Sequence, residues 1–424
     1  MPGPAPRRRW AVLAAYMLIT LMVEVQWVAL APVSRAAERF YGPQLAAGSF
    51  LNVDLLAMVY LLVFLVACVP ASYVIDTFGI RVGVGSGAAL AGLGALVKGF
   101  FPASFIAVLS GQVLLAAAQP LVLNAATAIA ARWFPLRERG VANGLAALAQ
   151  YLGIVAAMVV GPMVVEGDVA SPRYGQGVGT LLLAYGLATA IAAAVALLLI
   201  PERPERPVEG GEERSGSFAG IRILLASRDY RILLLLFTAG LGIFNALSSM
   251  VDTVAAHIGV SDSDGLIGTF LIAGGILGAI VLPAASDAVG RRRPFLVLCM
   301  AGLVPGVAGL AFADALASTP AGAYLVAKIA AAILGFFVMS AGPIGFQYAA
   351  EIGRPAPEST SLGLLLLAGQ ASGIAFMLLM ETPRLVGPIL AAFTGLAVLC
   401  LLGALLLRES KLLARPAAAQ EVET

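Results

Sequence analysis

The residues best suited to chemistry are a few polar groups set in apolar surroundings. Glu24 and Trp27 stand three residues apart in an apolar run, a spacing that puts both on one helix face. An indole face attracts a cation, above all a quaternary ammonium, and a neighbouring carboxylate reinforces that attraction. Gln150 and Gln370 can each donate and accept, which suits a ligand hydroxyl or amide. Asn245, Ser249 and Asp252 follow i, i+4, i+7 and form one polar stripe, with Ser248 beside it. Glu24 and Asp252 are also candidate proton carriers, because a carboxyl among apolar residues is costly to keep without a task. Each has a plainer alternative: Trp27 as packing, Glu24 as a protonated or Arg-paired structural carboxyl, the glutamines as links between helices.

Other chemistries lack their residues. Cys68, Cys299 and Cys400 lie far apart in apolar runs, and His257 is the single histidine. That set builds neither a disulfide nor a metal centre, and no cofactor is expected. No Ser/His, paired Asp or H-E-x-x-H constellation is present, so an enzyme is not expected. A net charge of +2 gives no field for nucleic acid.

These groups need elements to position them. The chain has 424 residues, 60% hydrophobic and 12% charged. A soluble domain carries about twice that share of charge. Twelve apolar stretches are long enough to cross a bilayer as helices: 10–34, 50–75, 82–100, 103–131, 139–165, 177–200, 229–257, 264–289, 294–313, 319–349, 357–381 and 386–407. The expected class is an all-α membrane protein, its partners the lipid bilayer and a small molecule, and its state a monomer.

Basic residues set the orientation. Of the 26 Lys and Arg, 20 fall on the side of the termini, while Arg35, Arg39, Lys98, Arg173 and Arg384 fall on the other; Lys328 lies within span ten. The positive-inside rule then predicts both termini in the cytoplasm, in the cell membrane. Residues 201–228 are rich in Pro, Gly and charge and read as a cytoplasmic linker. They divide the chain into six-helix halves at 1–200 and 229–424.

The halves repeat one another. Asp76, Gly79 and Arg81 follow span two; Asp287, Gly290 and Arg291, with Arg292 and Arg293, follow span eight. Each group is D-x-x-G with an Arg close behind. Gly permits a tight turn, and the charges can lock one conformation and release another. At an offset of 220, Pro135, Glu138, Leu145, Gln150, Gly153 and Ile154 match Pro355, Glu358, Leu365, Gln370, Gly373 and Ile374. Repeated halves with a binding site at mid-membrane mark secondary transporters. Weaker candidates are Gln112, Gln119 and Asn124 in span four, Lys328, Asp54, and Gln347, Tyr348 and Glu351 at the end of span ten. Gly274, Gly275 and Gly278 suit close helix packing.

Twelve spans, a central loop and paired D-x-x-G-x-R loops resemble the major facilitator superfamily. A narrower likeness runs through Gln26–Trp27, Phe40–Gly42, Asp54–Tyr60, Pro70–Arg81, Gly111–Pro120 and Ala131–Phe134. These segments resemble the feline leukaemia virus subgroup C receptor family, whose members are associated with choline, ethanolamine or haem transport. The resemblance implies two pseudo-symmetric bundles working by alternating access. It places a binding-site aromatic at Trp27 and site glutamines at Gln150 and Gln370. It also places an aromatic where Asn245 stands, so an aromatic cage here lacks one wall, and Glu24 departs from the family pattern. The expected substrate is a small organic cation or amino alcohol. The alternative is proton-coupled movement of a drug-like or metabolite solute; haem export, a non-transporting receptor and an enzyme follow behind.

Overall fold

The computed structural model describes residues 8–45, 53–166, 171–202, 217–260, 266–380 and 382–410. Half of the predicted linker, residues 203–216, therefore lies outside the described residues. The described residues contain twelve helices long and apolar enough to cross a membrane, and no strand. In chain order the helices are α1 (Arg8–Trp27), α2 (Ser34–Tyr41), α3 (Asp54–Phe78), α4 (Ile80–Phe100), α5 (Phe105–Leu123), α6 (Ala126–Trp133), α7 (Arg139–Val164), α8 (Val178–Leu199), α9 (Ser217–Ala226), α10 (Arg228–Ser249), α11 (Val251–His257), α12 (Leu266–Val289), α13 (Arg293–Ala311), α14 (Ala313–Leu316), α15 (Pro320–Ile352), α16 (Glu358–Met380) and α17 (Val386–Leu405).

Local sequence sets several boundaries. The Ser104, Ser227 and Thr319 side chains accept from backbone N–H groups in the first turns of α5, α10 and α15, relieving donors with no helical partner. Two predicted runs are interrupted. Span four breaks between α5 and α6 at Asn124–Ala125, just after Pro120. There Asn124 Nδ2 reaches the Cys68 carbonyl at 3.1 Å and Ser72 Oγ at 2.9 Å, so side-chain bonds tie the break to α3. The run 229–257 breaks at Met250, which separates α11 from α10.

The chain forms two compact units, Met1–Phe134 with Leu148–Gly211, and Pro135–Ala147 with Glu212–Thr424. The first turns of α7 thus belong to the second unit and the remainder to the first. In the first unit α3 packs on α5, α4 on α5 and α8, and α1 on α5 and α8. In the second, α12 packs on α15, α13 on α15 and α17, and α10 on α15 and α17. The two packing patterns correspond helix for helix, as the sequence repeat predicts.

Small residues allow the closest approaches. A Cβ on Gly274 would stand 3.0 Å from Ala332 Cα, and one on Gly278 would stand 2.6 Å from Ser340 Oγ. The α12–α15 face is therefore a small-residue seam, held by backbone contact. Large apolar side chains point outward instead, with Val66 78% and Leu198 79% exposed. Such a surface suits lipid and not water.

Candidate functional site

In the first unit, the last turns of α1 carry Glu24 and Trp27. Glu24 is buried and its Oε1 accepts from Gln119 Nε2 at 3.1 Å. Among the described residues it has no ion-pair partner. The α7 helix lies directly against it: a Cβ on Gly153 would stand 2.9 Å from Glu24 Cβ. Gln150 stands one turn before Gly153 and is half-buried. The Trp27 ring stacks on Tyr60 of α3, with centroids 6.4 Å apart and planes 29° apart. Tyr60 is fully buried and its hydroxyl has no hydrogen-bond partner among the described residues. Glu24, Tyr60 and Tyr151 stand close to one another. An aromatic pair, a buried carboxyl and an unpartnered hydroxyl thus share one neighbourhood. Sequence reasoning named Glu24, Trp27 and Gln150. It missed Tyr60, whose only signal was an aromatic inside Asp54–Tyr60.

The second unit repeats the α1–α7 contact. A Cβ on Gly373 of α16 would stand 2.8 Å from Asn245 Cβ on α10. Asn245 therefore occupies the place that Glu24 holds in the first unit. Its Nδ2 donates to Gln370 Oε1 at 2.8 Å, so these two predicted residues do come together. Ser249 is exposed, one turn further along. Asp252 belongs to α11, and its side chain lies outside those described.

A second polar cluster surrounds Lys98. The sequence counts Lys98 among the basic residues of the second membrane side, but it is 1% exposed. Its Nζ donates to Gln26 Oε1 at 2.9 Å and to Gln112 Oε1. Gln26 in turn donates to Thr189 Oγ1 at 3.0 Å. Nothing in the run around Lys98 distinguishes a loop cation from one folded back along its helix. Beyond the membrane helices, Tyr41 donates to the Pro102 carbonyl at 2.8 Å. Burial holds the Tyr41 phenol above its ordinary value, so it stays a neutral donor.

The two D-x-x-G loops take the predicted turn. Gly79 has φ 96° and Gly290 φ 69°, the left-handed region that favours glycine. In the second loop the arginine that pairs is Arg292, not Arg291. Asp287 pairs with Arg292, which is fully buried, whereas Arg291 is exposed. Arg292 Nε also reaches Glu351 Oε1 at 3.2 Å, and Gln347 joins Glu351 to Asn143. Asp287 Oδ2 accepts from Val141 N at 2.6 Å, so α12 supplies an anion to the N-terminal turn of α7. In the first unit, Asp76 is half-buried and Arg81 is exposed.

Two carboxylates missed from the sequence complete these loops. Glu202, just after α8, accepts from Arg81 N at 2.9 Å and pairs with Arg132. Glu409, just after α17, accepts from Arg292 N at 2.8 Å and Arg293 N at 3.3 Å. Each places negative charge on the first turn of the third membrane-spanning helix of its unit, α4 or α13. The signal was available: a glutamate closely follows the last span of each half.

The remaining candidates scatter. Asn124 holds the α5–α6 break, Tyr348 donates to the Arg408 carbonyl at 2.6 Å, and the Lys328 ammonium lies 4.4 Å from the Tyr324 ring centre. Among the described residues no group of His, Cys, Asp and Glu is built to hold a metal.

Comparison with known proteins agrees with the twelve-helix fold. Residues 12–377 match the Major Facilitator Superfamily. Solute carrier family 49 member A3 of Danio rerio is 32% identical over 387 residues, covering 88% of this chain and 78% of that protein. The choline/ethanolamine transporter FLVCR2 of Homo sapiens is 26% identical over 382 residues, covering 87% and 71%. FLVCR1 of Felis catus, also named a choline/ethanolamine transporter, is 28% identical over 396 residues, covering 89% and 69%. The proton:xylose symporter XylE shares the fold with TM-score 0.75 at 15% identity, covering 95% of this chain and 96% of that one. A twelve-helix membrane chain of this kind belongs to the Major Facilitator Superfamily of transporters, in the branch of solute carrier family 49 and the FLVCR proteins.

Proposed function

We propose that the chain carries a small organic cation or amino alcohol, choline-like, across the cell membrane by alternating access. The observation that carries this reading is the Trp27–Tyr60 stack beside the buried Glu24 carboxyl. A ring face attracts a quaternary ammonium, most strongly where water is excluded. Gln150, and on the second unit Gln370 with Asn245 and Ser249, supply groups for a hydroxyl. The names of the FLVCR relatives point to the same substrate class.

In this account the halves 1–200 and 229–424 move about the 201–228 linker, with both termini cytoplasmic and the protein working as a monomer. The loops at Asp76, Gly79 and Arg81, and at Asp287, Gly290 and Arg291, are the latches. Arg292 takes the pairing role in the second. A panel of metabolites tested by thermal shift on purified protein checks the substrate class, because a ligand that binds only the folded state raises its melting temperature. Choline and ethanolamine are expected to stabilise it. Stabilisation by anionic or neutral solutes alone overturns the reading.

A second reading keeps the fold and changes the coupling. Glu24 has an amide partner and no cation partner among the described residues, a setting that suits a proton carrier better than a structural ion pair. Asp252 is the other candidate carrier. The expected outcome is that Glu24→Gln removes the pH dependence of transport while leaving exchange of bound substrate intact. Equal pH dependence in the variant and the wild type rejects proton coupling through Glu24.

A further inference from the structure

We infer that Lys98 is a positioning residue, which with Gln112 clamps the C-terminal carbonyls of α1 and so sets the Trp27 indole against Tyr60. The inference rests on the proposed role of Trp27 in holding substrate. Its physical basis lies in where the donors go. Helix α1 ends at Trp27, so its last carbonyls have no helical partner. Lys98 Nζ lies 3.4 Å from the Gln26 carbonyl, and Gln112 Nε2 lies 3.3 Å from the Trp27 carbonyl and 3.4 Å from that of Gln26. A cation at a helix C-terminus also answers the helix dipole.

Gln112 also reaches the helix that carries the partner ring. Gln112 Nε2 makes its shortest bond, 2.9 Å, to the Leu56 carbonyl on α3. Leu56 stands one helical turn before Tyr60, so its carbonyl belongs to the turn that carries the ring. The Gln112 amide thereby ties the backbone beneath both members of the stack, and Lys98, bonded to Gln112 Oε1 and the Gln26 carbonyl, holds that amide and the end of α1 in place. Lys98 reaches this point because α4 and α5 approach at glycines: a Cβ on Gly111 would stand 2.7 Å from Lys98 Cγ.

The cluster is not itself a substrate pocket. Gln26, Trp27, Ser34, Lys98 and Gln112 line a cavity of about 40 Å³. That is room for a water molecule and falls far below the size of a ligand site. The ammonium has no carboxylate partner among the described residues, and its three acceptors are a main-chain carbonyl and two amide oxygens. Its charge is directed at the helix end.

The test is 19F NMR of the full chain labelled with 5-fluorotryptophan, whose three resonances come from Trp10, Trp27 and Trp133. Trp27→Phe assigns the Trp27 signal. In Lys98→Met the Trp27 resonance is expected to shift and broaden while those of Trp10 and Trp133 stay in place. Lys98→Arg, which keeps the charge and the donors, is expected to restore most of the native position. In proteoliposomes the same Lys98→Met is expected to raise KM for choline about tenfold, the size of a lost charge-assisted bond, with kcat changed far less. If Lys98→Met does not fold, Gln112→Leu carries the same expectation.

An unmoved Trp27 resonance in the folded variant overturns the inference. So does equal broadening of all three resonances, which reports general loosening. Absence of choline flux in the wild type overturns the substrate reading alone, and the resonance still decides on the clamp.

Discussion

Trp27→Ala is expected to abolish measurable uptake of choline at low concentration. A desolvated cation over an indole gains about 2 kcal/mol or more, so KM should rise at least about thirtyfold. The variant also loses the stack on Tyr60, worth about 0.5–1.5 kcal/mol beyond the area it buries. Trp27→Phe separates the two effects: it keeps a ring for the stack and offers the cation a weaker face, so its KM should fall between. Initial rates in proteoliposomes across a concentration series check this. A Trp27→Ala protein with wild-type KM removes Trp27 from the site.

The second large effect is on stability. Arg292 is fully buried between Asp287 and Glu351. Arg292→Met leaves both carboxylates without their cation, a loss of about 3–5 kcal/mol for a broken buried pair. The neighbouring Arg291 is exposed, and Arg291→Met should change stability by less than about 0.5 kcal/mol. Yield and melting temperature of the two purified variants give the comparison. Combining Arg292→Met with Asp287→Asn and Glu351→Gln should recover part of the loss, because the uncompensated charges go with the arginine. Equal stability of Arg291→Met and Arg292→Met would contradict the buried pairing.

This pair of variants also shows where sequence stops being informative. Three consecutive arginines follow Gly290, and which one turns inward depends on how the first turn of α13 is rotated. Composition carries no sign of that rotation. The turn itself was legible, because the repeated D-x-x-G leaves glycine at two positions that adopt positive φ. The helices were legible for a simpler reason: a bilayer demands about 20 apolar residues per crossing, and twelve such runs can be counted. Their interruptions at Asn124 and Met250 were not, since a broken helix stays apolar when side chains satisfy the break.

The site divides in the same way. Gln150 with Gly153 and Gln370 with Gly373 could be read as counterparts because the chain repeats itself. The structure adds the reason for the glycines: each lets its helix meet the residue facing it, Glu24 in one unit and Asn245 in the other. Tyr60 and Lys98 escaped because their roles depend on contacts between residues far apart in the chain. Lys98 and Gln26 are 72 positions apart, and no local pattern links them. Glu202 escaped for another reason. It was read as one charge of a solvated linker, although its match with Glu409 is visible once the ends of the two halves are aligned.

The central claim is that this member of the superfamily moves a choline-like cation. It is tested most directly by flux of radiolabelled choline into proteoliposomes that contain the purified full chain. The account predicts uptake that saturates, exceeds that of empty liposomes, and is competed by ethanolamine. Protein that is folded and reconstituted yet carries choline no faster than the bare bilayer would contradict it.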